Sequence, residues 1–316
     1  MSRIVLGVGA SHSTLMNTHW DAVEHLDRAE RFRAALYEAR DAVAAARPDV
    51  VVIAGSNHFR GFWLDLVPPF TMGVGEVVAS GESGTPAGPQ RTDPDWARGL
   101  LGAVTDQGFD VALSARLQID HGQSHAVQYL LDGVDVPVVP LVVNVFAPPL
   151  PLMRRCLDLG AAVRRGVESD GQDRRVVVIA SGGLSHRLPF PKWYAPEGAD
   201  EEFLVEAWLE GRANWQEYDP RRREIIRAAQ PSLEPEFDRE FLDAFVRGEL
   251  DPYAAMTSDE VEKAAGNGAQ ELRTWLVAAG AAGGGGGRVL AYEPMPEWLT
   301  GMGVALLEPA GTEGAA

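Results

Sequence analysis

Four short runs of apolar residues, rich in β-branched side chains, limit what this chain can fold into more than any other feature. They lie at Arg3–Val8, Asp49–Ala54, Val136–Val145 and Arg175–Ala180. Each is almost continuously apolar, which is typical of strands buried on both faces of a sheet. Stretches with helical periodicity separate them, the longest at His25–Ala46. Alternating strands and helices predict an α/β fold with a mostly parallel central sheet and helices on both faces.

The pattern changes near residue 200. Helical segments dominate residues 200–282, and two further strand patterns follow at Arg288–Tyr292 and Gly303–Leu307. We expect these last two strands to return to one edge of the sheet. The sequence therefore predicts a single domain over residues 1–316, with an α/β core (1–199), a helical segment (200–282) and returning strands with a tail (283–316).

Composition excludes several classes of function. The 316 residues include 28 Lys and Arg against 45 Asp and Glu, a formal net charge of −17. A chain this acidic is a poor candidate for nucleic-acid binding, because that affinity comes from neutralising phosphates. No apolar run reaches the roughly 18 residues that span a bilayer, so we expect a cytoplasmic protein without a membrane partner. A single cysteine, Cys156, excludes a disulfide framework and a thiolate zinc site within one chain, and we expect it in the core.

The histidines follow the strands. His12, His58 and His186 come shortly after three of the four strong runs, and His121 follows a weaker strand pattern at Val111–Gln118. In a mostly parallel sheet the strands end at one edge, and open α/β folds place their sites at that edge. The spacing therefore predicts that these four side chains converge.

Metal binding is the function that fits such a cluster best. The segment beginning Gly7-Val-Gly9 starts like a dinucleotide fingerprint but lacks the third glycine and the acidic ribose partner, and there is no phosphate-binding GxxxxGK[ST] loop. Ser181–Ser185 is not a nucleophile elbow. Two or three imidazoles with a carboxylate suit zinc, manganese or ferrous iron, and the residues alone do not choose among them. Glu271, which begins a helix after two glycines, is a candidate carboxylate or simply a favourable charge at a helix N-terminus.

Six segments, in order, resemble the class III (LigB-type) extradiol catechol dioxygenases from about residue 5 to about residue 307. They read GASHS, SNHFRGFWLDLVPPFTMGVGE, IDHG, VVNVFAPPLPLMRRCLDLG, SGGLSH and GNGAQELRTWLVAAGA. The resemblance implies Fe(II), a substituted catechol and O2 as reactants, and a homo-oligomer. The most similar branch acts on catechols of the 2,3-dihydroxyphenylpropionate type. Departures such as Ser56-Asn57 before His58 leave protocatechuate- or gallate-type catechols as alternatives.

The resemblance also implies roles for individual residues. His12 and His58 match the histidine ligands of Fe(II), and Glu271 matches the carboxylate ligand. His121 and His186 match the two acid/base histidines, with His186 the better candidate for the base and His121 for the proton donor.

Three further residues concern the substrate pocket. Asp120 matches a family position that orients the pocket, and Arg60 and Arg187 are candidates for a cation that receives an acidic substituent. A zinc-dependent hydrolase and a metal-free binding protein on the same fold are alternative functions. The remaining histidines match no functional position and are expected at the surface or in structural roles: His19, His25 and His125.

Overall fold

A computed structural model of the protein describes residues 1–20, 22–284 and 286–310. Within these residues nine strands form one sheet. The strands are β1 (Arg3–Ala10), β2 (Val50–Ser56), β3 (Phe70–Ser80), β4 (Ala87–Pro89), β5 (Ala112–Ile119), β6 (Val138–Val143), β7 (Arg175–Ser181), β8 (Gly287–Met295) and β9 (Thr300–Leu307).

Helices occupy several of the segments between these strands and most of residues 199–282. They are α1 (Thr14–Thr18), α2 (Leu26–Ala46), α3 (Pro94–Thr105), α4 (His121–Leu130), α5 (Met153–Ser169), α6 (Ala199–Glu210), α7 (Trp215–Ala228), α8 (Pro235–Arg247), α9 (Asp251–Ala254), α10 (Ser258–Ala265) and α11 (Leu272–Ala282). Short 3-10 turns lie at Glu82–Gly84, Asn267–Glu271 and Pro296–Trp298.

The four strong apolar runs become the centre of the sheet. Their strands lie side by side in the order β6, β2, β7, β1, and every pair is parallel. Both faces are covered because successive side chains of a strand point in opposite directions. Along β2, Val50 and Val52 pack in the cluster that includes α3, α5 and α11, whereas Val51 and Ile53 pack in the cluster of α2 and α4. The α/β class with helices on both faces is therefore correct.

The sheet as a whole is mixed, so the prediction of a mostly parallel sheet is wrong outside the centre. β3 is antiparallel to β6, and β4 is antiparallel to β3. At the other edge β9 is antiparallel to β1 and β8 to β9. Short connections explain two of these pairings. A 3-10 turn is the only helical segment between β8 and β9, and another is the only one between β3 and β4, whereas a parallel neighbour needs a longer crossover, usually a helix.

Helix α11 fixes the position of Glu271, which lies immediately before it. All of its residues are buried. It packs against α5 so closely that a Cβ on Gly160 would lie 2.0 Å from the carbonyl oxygen of Val277. Cys156, also on α5, is fully buried, which confirms it as a core residue. Among the described residues, no helix has the length and apolar character needed to cross a membrane.

Candidate active site

Four histidines meet in one buried cluster. The ring centre of His12 lies 5.4 Å from that of His58 and 5.5 Å from that of His121, and the rings of His58 and His121 are 3.8 Å apart. His186 lines the same cavity. All four side chains are buried. The convergence predicted from the strand ends is therefore present in the structure.

His121 reaches the cluster by a route that differs from the predicted one. His12, His58 and His186 follow β1, β2 and β7, which are parallel neighbours. In contrast, β5 is parallel to β3 and so runs against the central strands. His121 is the first residue of α4, which packs against the end of β2: a Cβ on Gly122 would lie 2.3 Å from the carbonyl oxygen of Ser56.

The carboxylate of Glu271 lies between two of these rings. Its Oε1 is 3.3 Å from Nε2 of His12 and 3.5 Å from Nε2 of His58. Ser56 Oγ donates to Oε1 (2.5 Å), and the backbone N–H of Gly183 donates to Oε2 (2.6 Å). Burial raises the pKa of Glu271, but the three surrounding histidines have a larger, opposite effect. The pKa of Glu271 therefore lies well below its ordinary value. Glu271 is therefore a buried, ionised carboxylate.

The outer ring nitrogens of His12 and His58 are held by hydrogen bonds. His12 Nδ1 lies 2.9 Å from Ser181 Oγ, and His58 Nδ1 lies 3.4 Å from Asp120 Oδ1. Asp120 Oδ2 also accepts the backbone N–H of His58 (2.5 Å). These contacts leave the Nε2 atoms directed toward Glu271. A hydrogen bond on the far nitrogen is the usual support of a metal-ligating imidazole.

The site fits a metal ion. His12 Nε2 is buried and has no hydrogen-bond partner among the described residues. Ring nitrogens of His12, His58 and His121 lie within 4.8 Å of one another. Burial lowers the pKa of His58, yet the carboxylates of Asp120, Glu271 and Glu82 raise it above its ordinary value. Two imidazoles with one carboxylate and open positions form a common site for a divalent metal.

His186 is arranged as a hydrogen-bond acceptor toward the cavity. Its Nδ1–H donates to the carbonyl oxygen of Leu184 (2.8 Å), so in the neutral ring Nε2 is the acceptor. Burial lowers the pKa of His186, and the opposing effect of Glu271 does not restore it. Gly268 lies against this ring, where a Cβ would come within 2.1 Å of Nε2. A side chain at position 268 would displace the imidazole.

His121 is paired with a carboxylate that sequence reasoning missed. Its Nδ1 lies 2.7 Å from Oε1 of Glu82, which also accepts the backbone N–H of His121 (3.1 Å). Burial, and then the neighbouring His58, lower the pKa of His121 to about 4. Burial raises the pKa of Glu82, but His121 and two arginines hold it well below its ordinary value. Glu82 lies in the 3-10 turn that follows β3, and a single acidic residue in a turn has no local pattern that marks it as part of a site.

Three side chains predicted for the substrate pocket lie outside the cavity wall. Asp120 is buried and holds His58 instead. Arg60 is buried and donates to Asp219 Oδ1 (3.1 Å). Arg187 is half exposed, and its Nη1 lies 3.6 Å from Oε1 of Glu262. Among the described residues that line the cavity, the arginine is Arg222.

The cavity beside the histidines is open to solvent, and polar and apolar side chains both line it. Its polar side chains are those of the histidine cluster, Glu271, Arg222 and a few hydroxyl residues. Its apolar wall is formed by Leu15, Leu188, Phe190, Ile226, Trp298 and Leu299.

His125 is not at the surface. Its ring lies 5.6 Å from that of His12, and neither ring nitrogen has a hydrogen-bond partner in the described part of the chain. Burial, followed by the charges of His12 and His121, holds its pKa well below the ordinary value. His125 is thus a neutral ring packed behind the cluster, one helical turn beyond His121.

Comparisons with known proteins show which proteins this chain resembles. The family model for the catalytic LigB subunit of aromatic ring-opening dioxygenase matches residues 7–303. The chain is 36% identical to a 2,3-dihydroxyphenylpropionate/2,3-dihydroxicinnamic acid 1,2-dioxygenase of Cupriavidus necator, over 95% of this chain and 97% of that protein. It is 37% identical to the protein of the same name from Rhodococcus sp, over 93% and 95%. A solved structure of an uncharacterized Escherichia coli K12 protein aligns over 96% of this chain and 99% of its own, with TM-score 0.49 and 16% identity.

Proposed function

We propose that this chain, which belongs to the LigB family of aromatic ring-opening dioxygenases, uses Fe(II) and O2 to open a catechol ring beside its two hydroxyl groups. The proposed substrate is a catechol of the 2,3-dihydroxyphenylpropionate type, because relatives 36% and 37% identical over nearly the whole chain are named for it. Both acids in those names carry a carboxylate on a short side chain.

One observation carries the proposal: two imidazole nitrogens and one buried carboxylate oxygen converge beside a cavity that is open to solvent. His12 Nε2 and His58 Nε2 lie 3.3 and 3.5 Å from Glu271 Oε1. These three residues would hold the metal. Glu271 is preferred to His121 as the third ligand because its oxygen contacts both Nε2 atoms, whereas His121 is bound to Glu82.

Iron(II), when bound, supplies adjacent positions for catechol and dioxygen and the electrons that make dioxygen reactive. One carboxylate among the ligands leaves the site with a positive charge, which favours the deprotonated catechol. The remaining chemistry concerns protons, and this chain supplies two histidines for it.

His186 is the proposed base. Its Nε2 is an acceptor because Nδ1–H is bound to the Leu184 carbonyl, and its lowered pKa keeps it neutral near pH 7. It can therefore take a proton from a catechol hydroxyl.

His121 is the proposed proton donor. It is neutral at rest, so it must first accept a proton, and the second catechol hydroxyl is the available source. The ionised carboxylate of Glu82 beside Nδ1 stabilises the resulting imidazolium, which then donates from Nε2 as the ring opens. His186 returns its proton to the ring-opened product, so both histidines end the cycle neutral.

The test uses protein purified without oxygen. Metal analysis should find one iron per chain, and adding 2,3-dihydroxyphenylpropionate with O2 should consume one O2 per substrate and give a yellow ring-opened product. A cis,cis-muconate would place the cleavage between the hydroxyls and contradict the proposal. Zinc as the activating ion, with no uptake of O2, would support a hydrolase instead.

A further inference from the structure

Helix α7 contributes two side chains to the cavity wall, and one of them is charged. Arg222 and Ile226 both line the cavity. They are four residues apart and so lie on the same face of the helix. The side chain of Arg222 is 8% exposed. A buried guanidinium on a cavity wall is costly unless an anion accompanies it.

The protein supplies only part of that compensation. Nε and Nη2 of Arg222 donate to Oδ1 of Asp219 at 3.2 and 2.9 Å, and Nη1 has no acceptor among the described residues. Asp219 also accepts hydrogen bonds from Arg60 (3.1 Å) and Arg223 (2.5 Å). One carboxylate therefore serves three guanidinium groups.

The nearest second carboxylate does not remove the excess. Oε2 of Glu82 lies 3.5 Å from Nε of Arg60, but its other oxygen binds His121. Arg60 and Arg222 are both buried, and both donate to the same oxygen atom, Oδ1 of Asp219. Two buried cations thus repel each other beside the cavity, and a further anion would relieve that repulsion.

We infer that Arg222 binds the carboxylate on the substrate's side chain, so that the enzyme selects catechols with a short anionic substituent. The inference rests on the proposed function and names the residue that determines the substrate specificity of the enzyme. Asp219 holds the guanidinium in place, and Ile226 packs beside it, where the methylene groups of a propionate side chain would lie. Guanidinium groups suit this task because they bind carboxylates through two N–H groups.

The experiment compares two substrates of nearly equal shape in the iron-loaded enzyme. They are 2,3-dihydroxyphenylpropionate and the neutral 3-propylcatechol. In Arg222→Met, kcat/KM for the acid should fall about 10- to 100-fold, the usual effect of losing a hydrogen bond to a charged group. For 3-propylcatechol it should stay within about twofold, and Arg222→Lys should recover part of the loss because the positive charge remains.

Arg223→Met is the matched control. Arg223 binds the same carboxylate from the same helix but is not part of the cavity wall. The Arg223→Met variant should have the same substrate preference as the wild type. An equal loss for both substrates in Arg222→Met would give Arg222 a structural role and overturn the inference.

The unaltered enzyme provides a second measurement that does not depend on folding of the variants. It should prefer the acid to 3-propylcatechol by at least about tenfold in kcat/KM. Absence of that preference overturns the role of Arg222 and leaves ring cleavage intact. Failure to cleave either catechol would instead contradict the proposed function.

Discussion

At the scale of single residues, the chemistry depends on which nitrogen of each histidine faces the cavity. In all four rings Nδ1 lies near an oxygen atom: Ser181 Oγ, Asp120 Oδ1, Glu82 Oε1 or the Leu184 carbonyl. The same choice of nitrogen therefore leaves Nε2 as the reactive atom in every case. Two of these atoms face Glu271 and suit metal binding, and the other two remain for proton transfer.

The proposed metal ligands can be tested one at a time. His12→Ala, His58→Ala and Glu271→Ala should each lose stoichiometric iron binding, because each removes a donor atom from the site, while circular dichroism remains that of the parent. His25→Ala is the control, since the His25 side chain caps nothing at the start of α2. Full iron content in Glu271→Ala would show that another residue supplies the third ligand, and His121 would be the first candidate.

The proposed acid and base make a different prediction. His121→Ala and His186→Ala should keep iron but lose turnover by roughly 10²- to 10⁴-fold, the usual contribution of a positioned acid or base. Stopped-flow absorbance of the ring-opened product measures the loss, and metal analysis confirms that iron is present. Wild-type turnover in either variant would remove that histidine from the mechanism.

At the scale of elements, helix α8 anchors the loop that carries His186. Asp238 on α8 accepts the backbone N–H of Ser185 (2.8 Å), the Ser185 hydroxyl (2.6 Å) and the Tyr292 hydroxyl (2.7 Å). Burial outweighs these hydrogen bonds and raises the pKa of Asp238 to about 6. A carboxyl group that binds its proton more tightly in the folded state stabilises the fold at low pH, and this contribution is lost as the pH rises through about 6.

The Asp238→Asn variant should remove this pH dependence. An amide remains neutral, and both hydroxyl partners can accept as well as donate. The stability of the variant relative to the wild type should therefore rise between about pH 4 and pH 7, by up to roughly 3 kcal/mol for a two-unit pKa difference. Urea unfolding at several pH values measures this. Asp243→Asn, an exposed position on the same helix, is the control; if its curve and that of Asp238→Asn coincide, ionisation of Asp238 does not affect stability.

At the scale of the whole molecule, the two ends of the chain are paired in the sheet. β1 lies between β7 and β9, and α11 packs beneath it. Where a Cβ on Gly9 would stand, the ring of Trp275 lies only 2.2 Å away. We therefore propose that the predicted core, helical segment and returning strands form one domain. The predicted tail at residues 311–316 lies outside the described residues.

A single domain should unfold as one unit. Urea transitions followed by tryptophan fluorescence and by far-ultraviolet circular dichroism should coincide, because Trp208 and Trp275 of the helical segment are buried in the same cluster as β2 and β7. A fluorescence transition at a lower urea concentration than the circular dichroism transition would show that residues 200–282 unfold separately.

The four central strands show most clearly what the sequence alone predicts. Continuous apolar runs at β1, β2, β6 and β7 require burial on both faces, and that requirement alone predicts their parallel grouping. His12, His58 and His186 lie within a few residues of these strand ends, so their convergence follows from local information. Glu271 was marked by two glycines and by a family motif, not by any property of the sheet.

Tertiary structure alone decided the rest, because it depends on contacts between residues far apart in the chain. The direction of β3, β5, β8 and β9 depends on the connections between strands, which hydrophobic periodicity does not record. Glu82 and Arg222 lie in a turn and a helix with no distinguishing pattern, and they become important only where packing brings them beside His121 and the cavity. The sequence by itself therefore determined the central strands and the histidines at their ends, whereas folding decided which charges surround them.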